Sequence, residues 1–138
     1  MKNNKPILLV EDDVVDQMTV QRAMKDLNVV NRLDIAGNGE EALERLRSSG
    51  AEWPCIILLD LNMPRMNGIE FLNAVKKDES LKAIPVVVLS TSKEDIDKIE
   101  SFKLGVAGYM VKPTDYMQFV DVMKTIRRYW TLSELPGT

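Results

Sequence analysis

Five side chains able to do chemistry stand directly at the ends of short apolar runs in this sequence. Glu11 and Asp12 follow Ile7–Val10, Asp60 follows Cys55–Leu59, Ser90 closes the run from Val86, and Lys112 follows Ala107–Val111. An apolar run this short, bounded by turn-forming residues, reads as a buried strand that delivers such a group to its C-terminal mouth. A carboxylate there is costly to bury without a partner. Brought together, Glu11, Asp12 and Asp60 would repel one another unless a cation or protons intervened. All the ligand atoms on offer are oxygens, which selects Mg²⁺, with Mn²⁺ or Ca²⁺ as alternatives, over softer metals. A carboxylate, a hard cation, a lysine and a hydroxyl supply what in-line phosphoryl transfer requires: a nucleophile, charge neutralisation and orientation. Asp60 would be that nucleophile.

Composition narrows the alternatives. There is no histidine, so Ser-His-Asp and Cys-His nucleophiles, a phosphohistidine carrier and Cys/His zinc sites are all excluded, and the single cysteine has no internal disulfide partner. Cys55, inside a strand, reads as core. A net charge of −3 without a long basic run argues against nucleic acid as a partner. No apolar run approaches a membrane span and no signal-peptide pattern opens the chain, so the expectation is a cytoplasmic protein without a membrane partner.

The elements that must position the five groups follow in order. Each strand is followed by a helical period. The helices start after Asp12 or Asp13, at Asn38, near Asn67 or Gly68, at Lys93 and at Asp115. The fourth, Lys93 to Leu104, has Ile96, Ile99 and Phe102 as its apolar positions. The last, Asp115–Trp130, carries Tyr116, Phe119, Val120, Met123, Ile126 and Trp130 on one face. Alternation of strand and helix with short connections means a parallel sheet covered by helices on both faces. The first, third and fourth strands are wholly apolar and belong in the middle, while Asp34, Gly108 and Tyr109 put the second and fifth at the edges. The predicted fold is therefore α/β, flavodoxin-like (βα)5, with strand order 2-1-3-4-5. In that order the crevice beyond the carboxyl ends of strands one and three is the natural site, and all five groups would converge on it.

Four stretches then carry a family likeness: LLVEDD at Leu8–Asp13, LLDLNMPRMNG at Leu58–Gly68, PVVVLSTS at Pro85–Ser92 and GYMVKP at Gly108–Pro113. Together, in order and at strand ends, they resemble the CheY-like receiver domain of two-component response regulators over roughly Pro6 to Trp130. The resemblance implies that Asp60 is the phosphoacceptor. Asp12 and Glu11 would hold Mg²⁺ with Asp60 and the backbone carbonyl of Asn62. Ser90 and Lys112 would bind the phosphoryl group, Ser90 and Tyr109 would form the switch, and Asn62 and Ser92 would tune dephosphorylation. It further implies a cis Lys112–Pro113 bond, a sensor histidine kinase as partner, and signalling through the face of the fourth helix, fifth strand and fifth helix. On this view the chain is no enzyme beyond self-catalysed phosphotransfer and autodephosphorylation.

Ser90-Thr91-Ser92, Leu104-Gly105 and the tail YWTLSELP resemble small stand-alone regulators of the cyanobacterial phytochrome type, which implies a phytochrome-like kinase. The receiver is expected over residues 1–130, with 131–138 as a tail and no output domain. Tyr129, Trp130, Leu132 and Leu135, with Val122 and Ile126, offer an apolar surface for a homodimer through the last helix and the tail. Trp130 could instead close the bottom of its own sheet. Two alternatives accompany the receiver reading. One is a haloacid-dehalogenase-type phosphatase, disfavoured because Asn62 stands where its second acid belongs. The other is a receiver-like interaction module that is not phosphorylated. The downstream target has no signature in the sequence.

Overall fold

The computed structural model describes residues 5–50, 52–63 and 66–133. Strand and helix alternate throughout: β1 Ile7–Val10, α1 Val14–Asp26, β2 Leu33–Ala36, α2 Gly39–Arg47, β3 Ile56–Leu59, α3 Gly68–Lys77, β4 Val86–Ser90, α4 Asp95–Lys103, β5 Gly108–Val111 and α5 Tyr116–Leu132. The strands form one parallel sheet in the order β2-β1-β3-β4-β5, the order that hydropathy predicts. The three central strands are buried along their whole length, while the edge strands β2 and β5 are only partly covered. A central parallel strand has helices on both faces and therefore needs apolar side chains on both.

Successive side chains of a strand point to opposite faces. Leu8, Val10, Ile57, Leu59, Val86 and Val88 accordingly pack with Leu43, Leu46, Phe71, Leu72 and Val75 of α2 and α3. Ile7, Leu9, Ile56, Leu58, Val87 and Leu89 pack with Val20, Ala23 and Met24 of α1 and with Phe119, Met123, Ile126 and Trp130 of α5. Local capping sets where the helices begin. Asp13 accepts from the Val15 N–H at 2.8 Å, Asn38 from Glu41, and Asp115 from Gln118. Asn67 and Glu70 form a reciprocal capping box.

The start of α3 also needs a glycine. A Cβ on Gly68 would lie 2.5 Å from Leu61 Cα and 2.6 Å from the Asp60 carbonyl oxygen. Only a residue without a side chain lets the helix come this close to the end of β3.

Three features differ from the sequence expectation. The Lys112–Pro113 bond is trans, since no cis peptide occurs among the described residues. Trans is the intrinsically favoured form of a prolyl bond, and here it is compatible with the Lys112 N–H donating to the Ser90 carbonyl at 2.8 Å. Helix α4 begins at Asp95, two residues late, and its apolar residues Ile96, Ile99 and Phe102 face solvent. Finally, Ile126 and Trp130 are 3% and 1% exposed, so they belong to the interior and not to a dimer surface. Helical periodicity from Phe119 and Met123 turns them onto the sheet. The outward apolar residues of α5 are Met117, Tyr129 and Leu132; Leu135 lies outside the described residues.

Candidate functional site

The sheet's hydrogen bonding runs one residue past three strands and holds the polar groups in register. Glu11 donates its N–H to the Ala36 carbonyl at 3.0 Å, Asp60 to Val10 at 3.0 Å and Lys112 to Ser90 at 2.8 Å. Backbone bonds of this kind leave the side chains as the free variables at the C-terminal mouth of the sheet. The oxygens offered there by Glu11, Asp12 and Asp60 lie within 4.8 Å of one another. Asp12 is exposed, whereas Glu11 and Asp60 are 1% and 7% exposed. Asp13 stands apart, its carboxylate spent on the α1 cap.

Lys112 supplies the positive charge. Its Nζ donates to Glu11 Oε1 at 2.5 Å and to Asp16 Oδ2 at 3.3 Å, with the lysine side chain 9% exposed. Burial pushes the Glu11 carboxyl up to about 7, and the nearby Asp60 charge adds to this, against the lowering pull of Lys112. Burial likewise raises Asp60 above the ordinary aspartate value, while Lys112 draws it down. For Lys112 burial disfavours the charge, but the hydrogen bond and charge of Glu11, backed by Asp60 and Asp16, outweigh it and raise its pKa. A crevice that destabilises two carboxylates and already holds an ammonium suits an added hard cation. Oxygen donors from two strand ends fit one, since each is a ligand type that Mg²⁺ or Mn²⁺ accepts.

The hydroxyls meet at one loop residue. Ser90 is fully buried, and its Oγ accepts from the Ser92 N–H at 3.2 Å. Tyr109, on β5, donates its hydroxyl to the Ser92 carbonyl at 3.0 Å. The Ser92 hydroxyl itself donates to Asp97 Oδ2 at 2.5 Å, on the first turn of α4. Ser92 thus links the end of β4, the Tyr109 ring and α4.

A sequence model of the response regulator receiver domain matches residues 7–124. The chain belongs to the response regulator receiver family. It is 37% identical over 130 residues to the response regulator Rcp1 of a Synechocystis species, covering 91% of this chain and 88% of that protein. The crystal structure of the phosphorylated cyanobacterial phytochrome response regulator RcpA aligns with a TM-score of 0.90 at 38% identity, covering 97% of this chain and 99% of that one. The Mn²⁺-bound form of Rcp1 aligns with a TM-score of 0.87 at 36% identity, over 96% and 99% of the two chains. The receiver resemblance carried by the four motifs is therefore correct, and relatives of the phytochrome type are among the chain's neighbours.

Of the residues singled out in the sequence, the receiver fold brings Glu11, Asp12, Asp60 and Lys112 to one mouth, with Ser90 ending the adjacent strand. Asn62 is exposed, two residues beyond Asp60. Two participants escaped notice. Asp97 reads as an ordinary first-turn helix acid. Asp16 reads the same way, three residues after the α1 cap, where an acid complements the helix dipole. The spacing of Asp16 betrays no contact with Lys112, 96 positions away, and that of Asp97 does not single out Ser92, five positions before it.

Proposed function

We propose that this receiver is a phosphorylation switch in which Asp60 accepts a phosphoryl group from a histidine kinase. The observation that carries the reading is the placement of Asp60 at the end of β3, with Glu11 and Asp12 oxygens within 4.8 Å. An Asp60 oxygen would form the new P–O bond as the P–N bond of the donor phosphohistidine breaks. Receiver domains bind a divalent metal. Glu11, Asp12 and Asp60 would hold Mg²⁺ or Mn²⁺ here, with the Asn62 carbonyl as a further ligand. Such an ion supplies neutralisation of the charge that accumulates on the transferring oxygens.

The chain's own residues do the rest. Lys112 favours the ionised, nucleophilic form of Asp60 against the effect of burial and then pairs with the phosphoryl oxygens. The Ser90 hydroxyl, drawn toward those oxygens, gives up the Ser92 N–H. Ser92 is the residue to which Tyr109 donates, so its displacement releases the ring and slackens the Ser92–Asp97 tie to α4. The face made by α4, β5 and α5 thereby changes shape for a target or a second copy. Phosphorylation can bias that face only by the difference in contacts between the two states. Water attack on the acyl phosphate resets the switch, with Asn62 and Ser92 flanking the phosphoryl group, and no other turnover is ascribed to the chain. The similarity to RcpA and Rcp1 favours a phytochrome-like kinase as the donor.

Incubation with acetyl phosphate and Mg²⁺ tests the reading. Intact-mass measurement is expected to show one added phosphate on the wild type and none on Asp60→Asn. An unmodified wild type, or equal labelling of the variant, would refute it.

A further inference from the structure

Among the described residues Lys112 has two acceptors, and they differ in kind. Glu11 is nearly inaccessible and belongs to the carboxylate group gathered for a cation. Asp16 lies outside that group, on the first turn of α1, with its side chain 41% exposed. Lys112 and Asp16 both line a cavity of about 420 Å³ that Arg22, Thr91, Pro113 and Tyr116 help complete. The ammonium already touches Asp16, and the cavity lies beside both residues.

This contact matters because Glu11 cannot serve two cations equally well. When it turns to a divalent ion, a lysine side chain only 9% exposed is left without its closest counter-charge, and an unpaired buried charge is strongly destabilising. The Asp60 carboxylate also acts on Lys112 but belongs to the same group gathered for the ion, and its phosphoryl oxygens come only after transfer. Before transfer, the carboxylate already in contact on the other side is Asp16.

We propose that Asp16 is a positioning residue that takes over Lys112 when Glu11 turns to a divalent cation and yields it to the phosphoryl group on Asp60. The second half rests on the phosphoacceptor reading; the first half does not. The two halves have opposite signs. Asp16 stabilises the cation-loaded, unphosphorylated protein, and for the same reason it opposes the step in which Lys112 moves to the phosphoryl group. Asp16, with its side chain 41% exposed, can turn to solvent when released.

Calorimetric titration of the full chain reads both halves, first with Mg²⁺ alone and then with beryllofluoride, a phosphoryl mimic, at saturating Mg²⁺. Asp16→Asn is expected to weaken Mg²⁺ binding about fivefold and to tighten beryllofluoride binding about fivefold, in the range usual for coupled sites. Asp16→Ser, a second variant at this partly exposed position, should repeat the pattern. Asp13→Asn removes a neighbouring charge while keeping the helix cap, since asparagine caps as well as aspartate. It is expected to leave beryllofluoride binding unchanged. On a Lys112→Gln background both effects of Asp16→Asn should vanish. Shifts of the same sign in both titrations, no shift in either, or shifts that survive Lys112→Gln would overturn the proposal. If wild type binds no beryllofluoride, the phosphoacceptor reading fails, and the Mg²⁺ titrations with and without Lys112 still decide the first half.

Discussion

Helix α5 lays Phe119, Met123, Ile126 and Trp130 against the sheet, whereas α4, which also neighbours β5, buries Ser101 and turns Ile96, Ile99 and Phe102 to solvent. The capping follows the same division. Asp115 caps α5 through the Gln118 N–H, while Glu94 at the start of α4 makes no side-chain cap bond. The Ser101 hydroxyl is buried and has no hydrogen-bond partner among the described residues. Helix α5 is thus held by burial of large apolar surface. At the N-terminal end of α4, the Ser92–Asp97 hydrogen bond provides a polar attachment. A helix with few buried apolar contacts opens at low free energy, and elements that move in switching are drawn from that class. On this physical ground α4 is expected to open more readily than α5.

The sharpest way to break the contrast is a pair of truncations. Trp130→Ala is expected to cost about 3–5 kcal/mol, the usual loss for a buried large aromatic. Phe102→Ala should stay within about 0.5 kcal/mol, as surface changes do. Urea denaturation of the two variants checks this, and similar losses from both would erase the distinction.

A smaller effect sharpens it from the side of charge. The buried ionisable cluster belongs to the sheet framework and not to α4. Glu11 has its folded-state pKa raised from an ordinary 4.5 to about 7. Between those values the folded protein holds a proton that the unfolded chain has lost. Stability without metal should therefore fall as pH rises from about 4.5 to about 7 and level off above, with Asp60 acting in the same direction. Saturating Mg²⁺ is expected to shallow this decline, because the cation replaces the proton as the partner of Glu11. Phe102→Ala should leave the profile unchanged. Thermal unfolding across this range reads both statements, and a profile that rises through the window would contradict the assignment.

The smallest effect lies at Ser101. Replacing it with alanine removes a buried hydroxyl without a partner, so Ser101→Ala should stabilise the chain by about 1 kcal/mol. It should also slow hydrogen exchange across α4 relative to α5. Destabilisation would show that the hydroxyl has a partner that matters.

Strand order illustrates how much was legible without coordinates. Wholly apolar β1, β3 and β4 had to be central, and partly polar β2 and β5 had to be edges, because a parallel sheet covered on both faces tolerates polar side chains only at its margins. With that order, chain connectivity alone brings Glu11, Asp12 and Asp60 to one crevice. The inward turn of Ile126 and Trp130 was legible as periodicity, but periodicity could not say whether the stripe met the chain's own sheet or a second copy. Helix α4 misled for the converse reason. Ile96, Ile99 and Phe102 look like a core-facing set, yet burial is decided by where β4 and β5 place the helix.

The identity of each group at the mouth of the sheet, and the metal type those groups favour, was determined by the sequence itself, through short apolar runs that end in oxygen ligands and a lysine. What the tertiary structure alone decided was the pairing among them. Lys112 bridges to Glu11 and Asp16, residues roughly a hundred positions away, and Tyr109 of β5 reaches the Ser92 carbonyl beyond β4. Local sequence governs backbone conformation and hydrophobic period. A side-chain contact between distant elements exists only once packing has brought their ends within hydrogen-bonding reach.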